Sequence, residues 1–262
     1  MQDNSALGRA MAMVRDLRKR CPWDRAQDRQ TLRPYLVEEV LELDQALGAG
    51  DVEAIKGELS DLLLHLAFQL VIAEERQEFS PDDVVAVLES KMRRRHPHLF
   101  DLGDAEPWER IKRRERQGHV LSGLVPTLPP LLMAYRLQER AASVGFDWPA
   151  ADGALLKVRE ELSEVENLLR SEDRAPDPQQ DPNTPAEAIE ELVDEIGDLL
   201  FAVVNLARKL GVPPGPALDR ANRKFRSRFE RIERLASERG IDVNTAGLEV
   251  LDQLWEEVKR EQ

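Results

Sequence analysis

The segments KVREELSEVENLL (157–169) and ELVDEIGDLLFAVVNLARKL (191–210), parted by a Pro-rich break, decide how this chain folds. Glu160, Glu161 and Glu164 fall within about a 100° arc of one helix face. Glu195 and Asp198, three apart, share a face of a second helix. Brought together, these carboxylates repel one another unless a cation sits among them. Oxygen donors without His or Cys point to Mg²⁺ or Mn²⁺ rather than zinc. The run from Leu199 to Ala207 is apolar nearly all round, which predicts a largely buried helix. An acidic pair opening such a helix is costly without a partner. Taken once, Glu195 and Asp198 could equally complement the helix N-terminal dipole.

The arrangement occurs twice. Glu38, Glu39 and Glu42 precede Glu58 and Asp61, and the apolar run Leu62–Phe68 follows. Upstream, Cys21-Pro22-Trp23-Asp24 corresponds to Gly145-Phe146-Asp147-Trp148. Downstream, the basic stretch 91–95 corresponds to 223–228, and Trp108-Glu109-Arg110-Ile111-Lys112 resembles Trp255-Glu256-Glu257-Val258-Lys259. Features recurring in one order describe a duplicated domain of roughly 120 residues, not a solenoid of short repeats.

Composition agrees with an all-α protein. The chain has 262 residues, a third of them charged, and only 5% are aromatic. Ala, Leu, Glu and Arg dominate, a mix that favours helix over sheet. A net charge of −13 argues against a general nucleic-acid binder. Cys21 is the single cysteine, so no disulfide framework exists, and a free buried thiol in a reducing cytoplasm is the natural reading. The N-terminal twenty residues carry an amphipathic pattern with Arg and Lys but no targeting signal. The longest apolar run, 62–73, contains His65 and Gln69 and is too short to span a bilayer.

Leu7, Met11, Val14 and Leu17 recur at helical spacing and predict a first helix ending before Cys21-Pro22. A polar loop is expected over 21–31, with Trp23 as either a packing anchor or a base-stacking surface. Thr31 and Pro34 mark the start of the helix bearing Glu38, Glu39 and Glu42. Gly48-Ala49-Gly50 ends it, and Asp51 can cap the next helix, so the two acidic helices pack antiparallel with their carboxylates facing. Ser80-Pro81 opens a helix that runs into the basic stretch 91–96 and stops at Pro97. The expected domains are 1–117 and 131–262, with a junction at 118–130 rich in Gly and Pro and a flexible insertion at 171–186. The four histidines lack metal-ligand spacing and carry no chemistry in this reading.

At these residues the chain resembles the all-α nucleoside triphosphate pyrophosphohydrolases, and within them the two-domain MazG family. The resemblance rests on CPWDRAQ (21–27), YLVEEVLEL (35–43), GELSDLLLHLAF (57–68), KMRRRHPHLF (91–100), VGFDW (144–148), EIGDLLFAVVNLAR (195–208) and ANRKFRSRFE (221–230). It implies two tandem helical repeats completed by homodimerisation, and Mg²⁺-dependent hydrolysis of broad-specificity NTPs and dNTPs to the monophosphate and pyrophosphate. Mn²⁺ is a possible substitute.

By this resemblance Glu161, Glu164, Glu195 and Asp198 match the metal ligands. Glu160 could orient or deprotonate the attacking water, which makes Glu160 and Glu161 the catalytic pair. Lys157 and the Glu191–Asp194 segment match nucleotide-contacting positions. Lys224 and Arg228 would clamp the phosphates, and Trp255 would lie against the base or ribose. The second domain is the expected main catalytic site. Glu38, Glu39, Glu42, Glu58 and Asp61 form a second metal site, by residue type, in the first. Selectivity for one nucleotide such as dUTP is a competing enzyme reading. A sensor or adaptor that binds NTP without turnover is the reading from another class.

Overall fold

Identifiable caps set the helix ends. The computed structural model describes residues 5–106, 111, 114, 115, 119–170 and 186–260, and among them there is helix but no strand. The chain divides into two compact units, Met1–Trp108 and Glu109–Gln262. The insertion expected at 171–186 and the repeated feature at Trp108 fall outside the described residues, apart from Ala186 and Ile111.

In the first unit, α1 (Ala6–Arg20) starts at Ser5, whose hydroxyl accepts from the Gly8 amide at 3.0 Å. The segment expected as a polar loop instead holds a short helix, α2 (Pro22–Ala26). Pro22 supplies a helical φ at its first position and lacks the N–H that a first turn leaves unpaired. The next helix, α3 (Arg33–Ala49), starts two residues after Thr31. Thr31 is held back by Asp28, whose carboxylate accepts from the Gln30 and Thr31 amides.

Gly50 ends α3 at φ 73°, the left-handed conformation that costs a residue with Cβ more. Asp51 then caps α4 (Val52–Glu75) by accepting from the Glu53 and Ala54 amides, so the chain folds straight back. Met11 and Val14 of α1 pack with Ala67, Phe68, Val71 and Ile72 of α4. Each fully buried side chain of this size contributes about 1.5–3 kcal/mol. Arg15–Glu74 and Arg18–Glu75 ion pairs, both at 2.7 Å, tie the far ends of these helices. Ser80 opens α5 (Pro81–Arg95) through a reciprocal capping box with Asp83, and Pro97 begins a single 3₁₀ turn. Cys21 is half-buried rather than buried.

In the second unit, α6 (Pro130–Ala142) and α7 (Ala151–Arg170) both pack on α8 (Ala186–Lys209). A hairpin of α9 (Pro214–Glu238) and α10 (Gly247–Arg260) has its own cluster of Ile232, Leu235, Ala236, Leu254 and Val258. The apolar run of α8 is not largely buried: Ala202 and Val204 are, but Leu200, Phe201 and Val203 stay about half exposed. Among the described residues α8 is packed by α6 and α7 with a slight contact from α9, so an all-round apolar helix keeps an open face. The run in α4 behaves likewise at Leu64 and Leu66. No helix among the described residues is long and apolar enough to cross a membrane.

Candidate active site

Packing α7 against α8 brings one carboxylate oxygen each of Glu161, Glu164 and Glu195 within 4.8 Å of one another. Glu161 is buried, at 5% exposure in the chain. A buried carboxylate needs a counter-charge. Lys157, one turn back on α7, supplies it, with Nζ 2.6 Å from Glu161 and 2.8 Å from Glu160. The hydrogen bond from Lys157 holds Glu161 below the ordinary carboxylate value, against the opposing effect of burial. Those same bonds to Glu160 and Glu161 raise Lys157 above its usual value.

Glu164 goes the other way. Its hydrogen bond with Glu161, burial, and the charges of Glu161 and Glu195 all push it up. The cluster therefore carries more negative charge than one lysine offsets. Three oxygen donors at this spacing, one with raised proton affinity, suit a hard divalent cation. Asp198 lies one turn beyond Glu195, exposed and outside this tight group. Glu191 and Asp194 are exposed on the preceding turns of α8, and Glu160 is exposed beside Lys157.

Beside the carboxylates opens a cleft of about 500 Å³, lined in part by Lys157, Glu161 and Asp198 at its charged side. Phe146, Trp148, Phe201, Gln138, Asn205 and Arg208 form much of the remainder. Asp147 fixes the loop that carries Phe146 and Trp148. It accepts from Arg208 at 2.5 and 3.2 Å and from Lys209 at 3.2 Å, and Lys209 also donates to the Trp148 carbonyl at 2.6 Å. Burial works against the Asp147 carboxylate, but these bonds hold it below its ordinary value. The Trp148 ring lies directly on the first turn of α7. A Cβ at Gly153 would fall 2.3 Å from Trp148 Cδ1, so only glycine allows that approach.

Lys224, Arg228 and Trp255 lie elsewhere in this unit. Trp255 of α10 packs at 5.3 Å from the Phe225 ring, with the Arg228 guanidinium 5.7 Å over its own ring. Lys224 is exposed on α9, and none of the three lines the cleft. Gln138, Asn205 and Arg208 were not singled out by the sequence. For Asn205 alone there was a signal, polarity inside an otherwise apolar helical run.

The first unit gathers Glu39, Glu58 and Asp61 within the same 4.8 Å limit. Glu42 hydrogen-bonds Glu58, and Glu38 remains exposed nearby. Burial first, then the charges of neighbouring carboxylates, raises both Glu39 and Glu58. Among the described residues no lysine is ion-paired with them. Four residues before Glu39, where Lys157 stands relative to Glu161, is Tyr35, packed edge-on against Trp23 at 6.5 Å.

Residues 27–100 match the MazG nucleotide pyrophosphohydrolase domain. A nucleoside triphosphate pyrophosphohydrolase of Escherichia coli (strain K12) is 37% identical over 265 residues, covering 96% of this chain and 95% of that protein. The nucleoside triphosphate pyrophosphohydrolase/pyrophosphatase MazG of Thermotoga maritima is 40% identical, covering 91% and 89%. A nucleoside triphosphate pyrophosphohydrolase of Mycobacterium tuberculosis is 35% identical over 62% of this chain and 53% of its own length.

Proposed function

Because this chain belongs to the MazG family of nucleotide pyrophosphohydrolases, we propose that it hydrolyses nucleoside and deoxynucleoside triphosphates to the monophosphate and pyrophosphate. The reaction is assigned to the second unit, and the observation that carries it is the Glu161–Glu164–Glu195 cluster opening onto a cleft with Lys157 and Asp198 at its edge. Water oxygen adds to the α or the β phosphorus, and the bond from that phosphorus to the bridging oxygen breaks; attack at α expels pyrophosphate with the bridging oxygen and its electron pair, and attack at β expels the monophosphate with them.

Glu161, Glu164, Glu195 and Asp198 would hold Mg²⁺, with Mn²⁺ as a substitute. When bound, the metal supplies charge neutralisation at the phosphates and eases deprotonation of water. Glu160, exposed and adjacent to Glu161, orients the attacking water and accepts its proton. Lys157 keeps Glu161 ionised before the metal arrives, and its flexible stem lets it turn to a phosphate oxygen afterwards. Lys224 and Arg228, four apart on α9, add positive charge for the phosphate tail. Glu191 and Asp194 flank the ligands on the solvent side of α8.

The first unit would bind a divalent cation at Glu39, Glu58 and Asp61 without turnover, since it lacks the lysine. A second copy of the chain covers the half-exposed Leu200 and Val203 and so completes each helical layer. The test is product analysis with each NTP and dNTP, with Mg²⁺ and after chelation. Pyrophosphate with monophosphate, lost on chelation and restored by Mg²⁺, is expected. Orthophosphate as the product would overturn the proposed bond. NTP binding with no release of either product would leave a sensor.

A further inference from the structure

Arg140, in the last turn of α6, is buried at 7% exposure. A basic residue at a helix C-terminus ordinarily complements the dipole from the surface. This one is turned into the protein, where a guanidinium needs acceptors for its fixed fork of donors. It finds them on the backbone ahead of α6. Nη1 donates to the Leu121 carbonyl at 2.9 Å and to the Ser122 carbonyl, and Nη2 donates to the Gly123 carbonyl at 3.5 Å. Three consecutive carbonyls meet one planar group because the chain curls around it. The Ser122 amide closes a turn on the His119 carbonyl at 2.9 Å, and Gly123 follows at φ 74°. A Cβ on Gly123 would meet nothing within 4 Å, so the backbone conformation and not the space calls for glycine.

The clamped turn also faces the cleft. The Leu121 side chain lines it together with Leu137 and Ala141 of α6. Leu137 and Ala141 are fixed by their helix. Leu121 stands outside any helix and is about half exposed, so its place depends on what holds its backbone. The first unit differs at this point. Because 21–24 corresponds to 145–148, Asp16 stands where Arg140 does, and it pairs with Arg20 on its own helix. The clamp thus belongs to the unit that has the cleft.

We propose that Arg140 is a positioning residue for the reaction of the second unit: by clamping the carbonyls of 121–123 it holds Leu121 as a wall of the cleft against bound substrate. The inference rests on the reading of that cleft as part of the nucleoside triphosphate site. Arg140 touches no reacting atom, so its whole effect passes through Leu121 and disappears once that side chain is shortened. The carboxylates sit on α7 and α8, away from the clamp. Loosening the wall therefore weakens substrate binding and leaves the chemical step alone, which is a change in KM without a matching change in kcat.

The test is a double-mutant cycle on KM and kcat for ATP with Mg²⁺, using wild type, Arg140→Met, Leu121→Ala and the double variant. Each is checked for native helicity by circular dichroism. Each single variant is expected to raise KM about fivefold with kcat within about twofold. The double variant should stay near fivefold and not reach the roughly 25-fold of independent effects. An unchanged KM in folded Arg140→Met, or effects that multiply in the double variant, would overturn the proposal. If Arg140→Met loses its helicity, Gly123→Ala replaces it in the cycle, since it strains the same turn with the guanidinium intact. The same two outcomes then decide. If wild type releases no pyrophosphate, the hydrolase reading fails by itself, and the cycle is read instead on the Kd of α,β-methylene ATP with Mg²⁺, with the same shifts expected. No binding of that compound by wild type would overturn the role of the clamp as well.

Discussion

The two acidic clusters are built alike, yet the helices beneath them diverge at the positions one face along from the carboxylates. Seven residues past Asp198, α8 carries Asn205, and ten past it Arg208. Seven and ten past Asp61, α4 carries Phe68 and Val71, which are 3% and 1% exposed in the core shared with α1. One repeat has filled the space with hydrocarbon; the other keeps an amide and a guanidinium there, and a cleft. The counter-charge differs in parallel, because Lys157 faces Glu161 whereas Tyr35 stands at the matching position before Glu39. The carboxylates stand in both units, but the neighbouring lysine and the cleft described above belong to the second.

Exchanging these side chains should break the contrast in both directions. Phe68→Asn with Val71→Arg places an amide and a charge in a closed core, and should cost about 5 kcal/mol or more. Loss of the cooperative thermal transition of the first unit would report it, while a stable variant would mean that this core is looser than its burial indicates. The reciprocal Asn205→Phe with Arg208→Val fills the cleft and should lower pyrophosphate release about 1,000-fold, or about 4 kcal/mol. Activity within tenfold of wild type would show that substrate does not use that space.

Lys157→Met removes the cation whose matching position in the first unit is Tyr35. The NTP KM should rise about tenfold, the scale of a lost charge-assisted contact, and steady-state kinetics would show it. Asp147→Asn tests the loop anchor and should cost about 2 kcal/mol at pH 7. Folding depresses the Asp147 pKa, so its contribution is present above the unfolded value of about 3.9 and is lost as pH falls through the lower folded value. The destabilisation should therefore fade toward pH 2, as denaturant melts at several pH values would reveal. Least of all, Asp51→Ala removes the cap that closes the α3–α4 hairpin and should cost about 1 kcal/mol.

Local chemistry made much of the fold readable. Ser80-Pro81, Gly50-Asp51 and the stop at Pro97 act over three or four residues, and the helices end where those residues require. The acidic spacing named Glu160, Glu161, Glu164, Glu195 and Asp198 together, and packing of α7 on α8 gathers Glu161, Glu164 and Glu195 while Glu160 and Asp198 stay exposed beside them. What depended on tertiary choice was not readable. The run of α8 looked buried because hydropathy does not say how many neighbours a helix has, and Phe201 is half exposed. Pro22 suggested a break but began a helix. Asn205 and Arg208 drew no reading of their own, and their place in the cleft became visible only when Gln138 and Asp147 were brought in from other segments.

The most direct test pairs Glu39→Gln with Glu58→Gln in one protein and Glu161→Gln with Glu195→Gln in another. Mg²⁺-dependent pyrophosphate release from NTP is then compared with wild type. Loss of at least 1,000-fold in the second variant, with the first within about twofold, is the predicted result. Loss in the first variant with activity retained in the second would contradict it, and would place the chemistry in the unit whose cleft is closed.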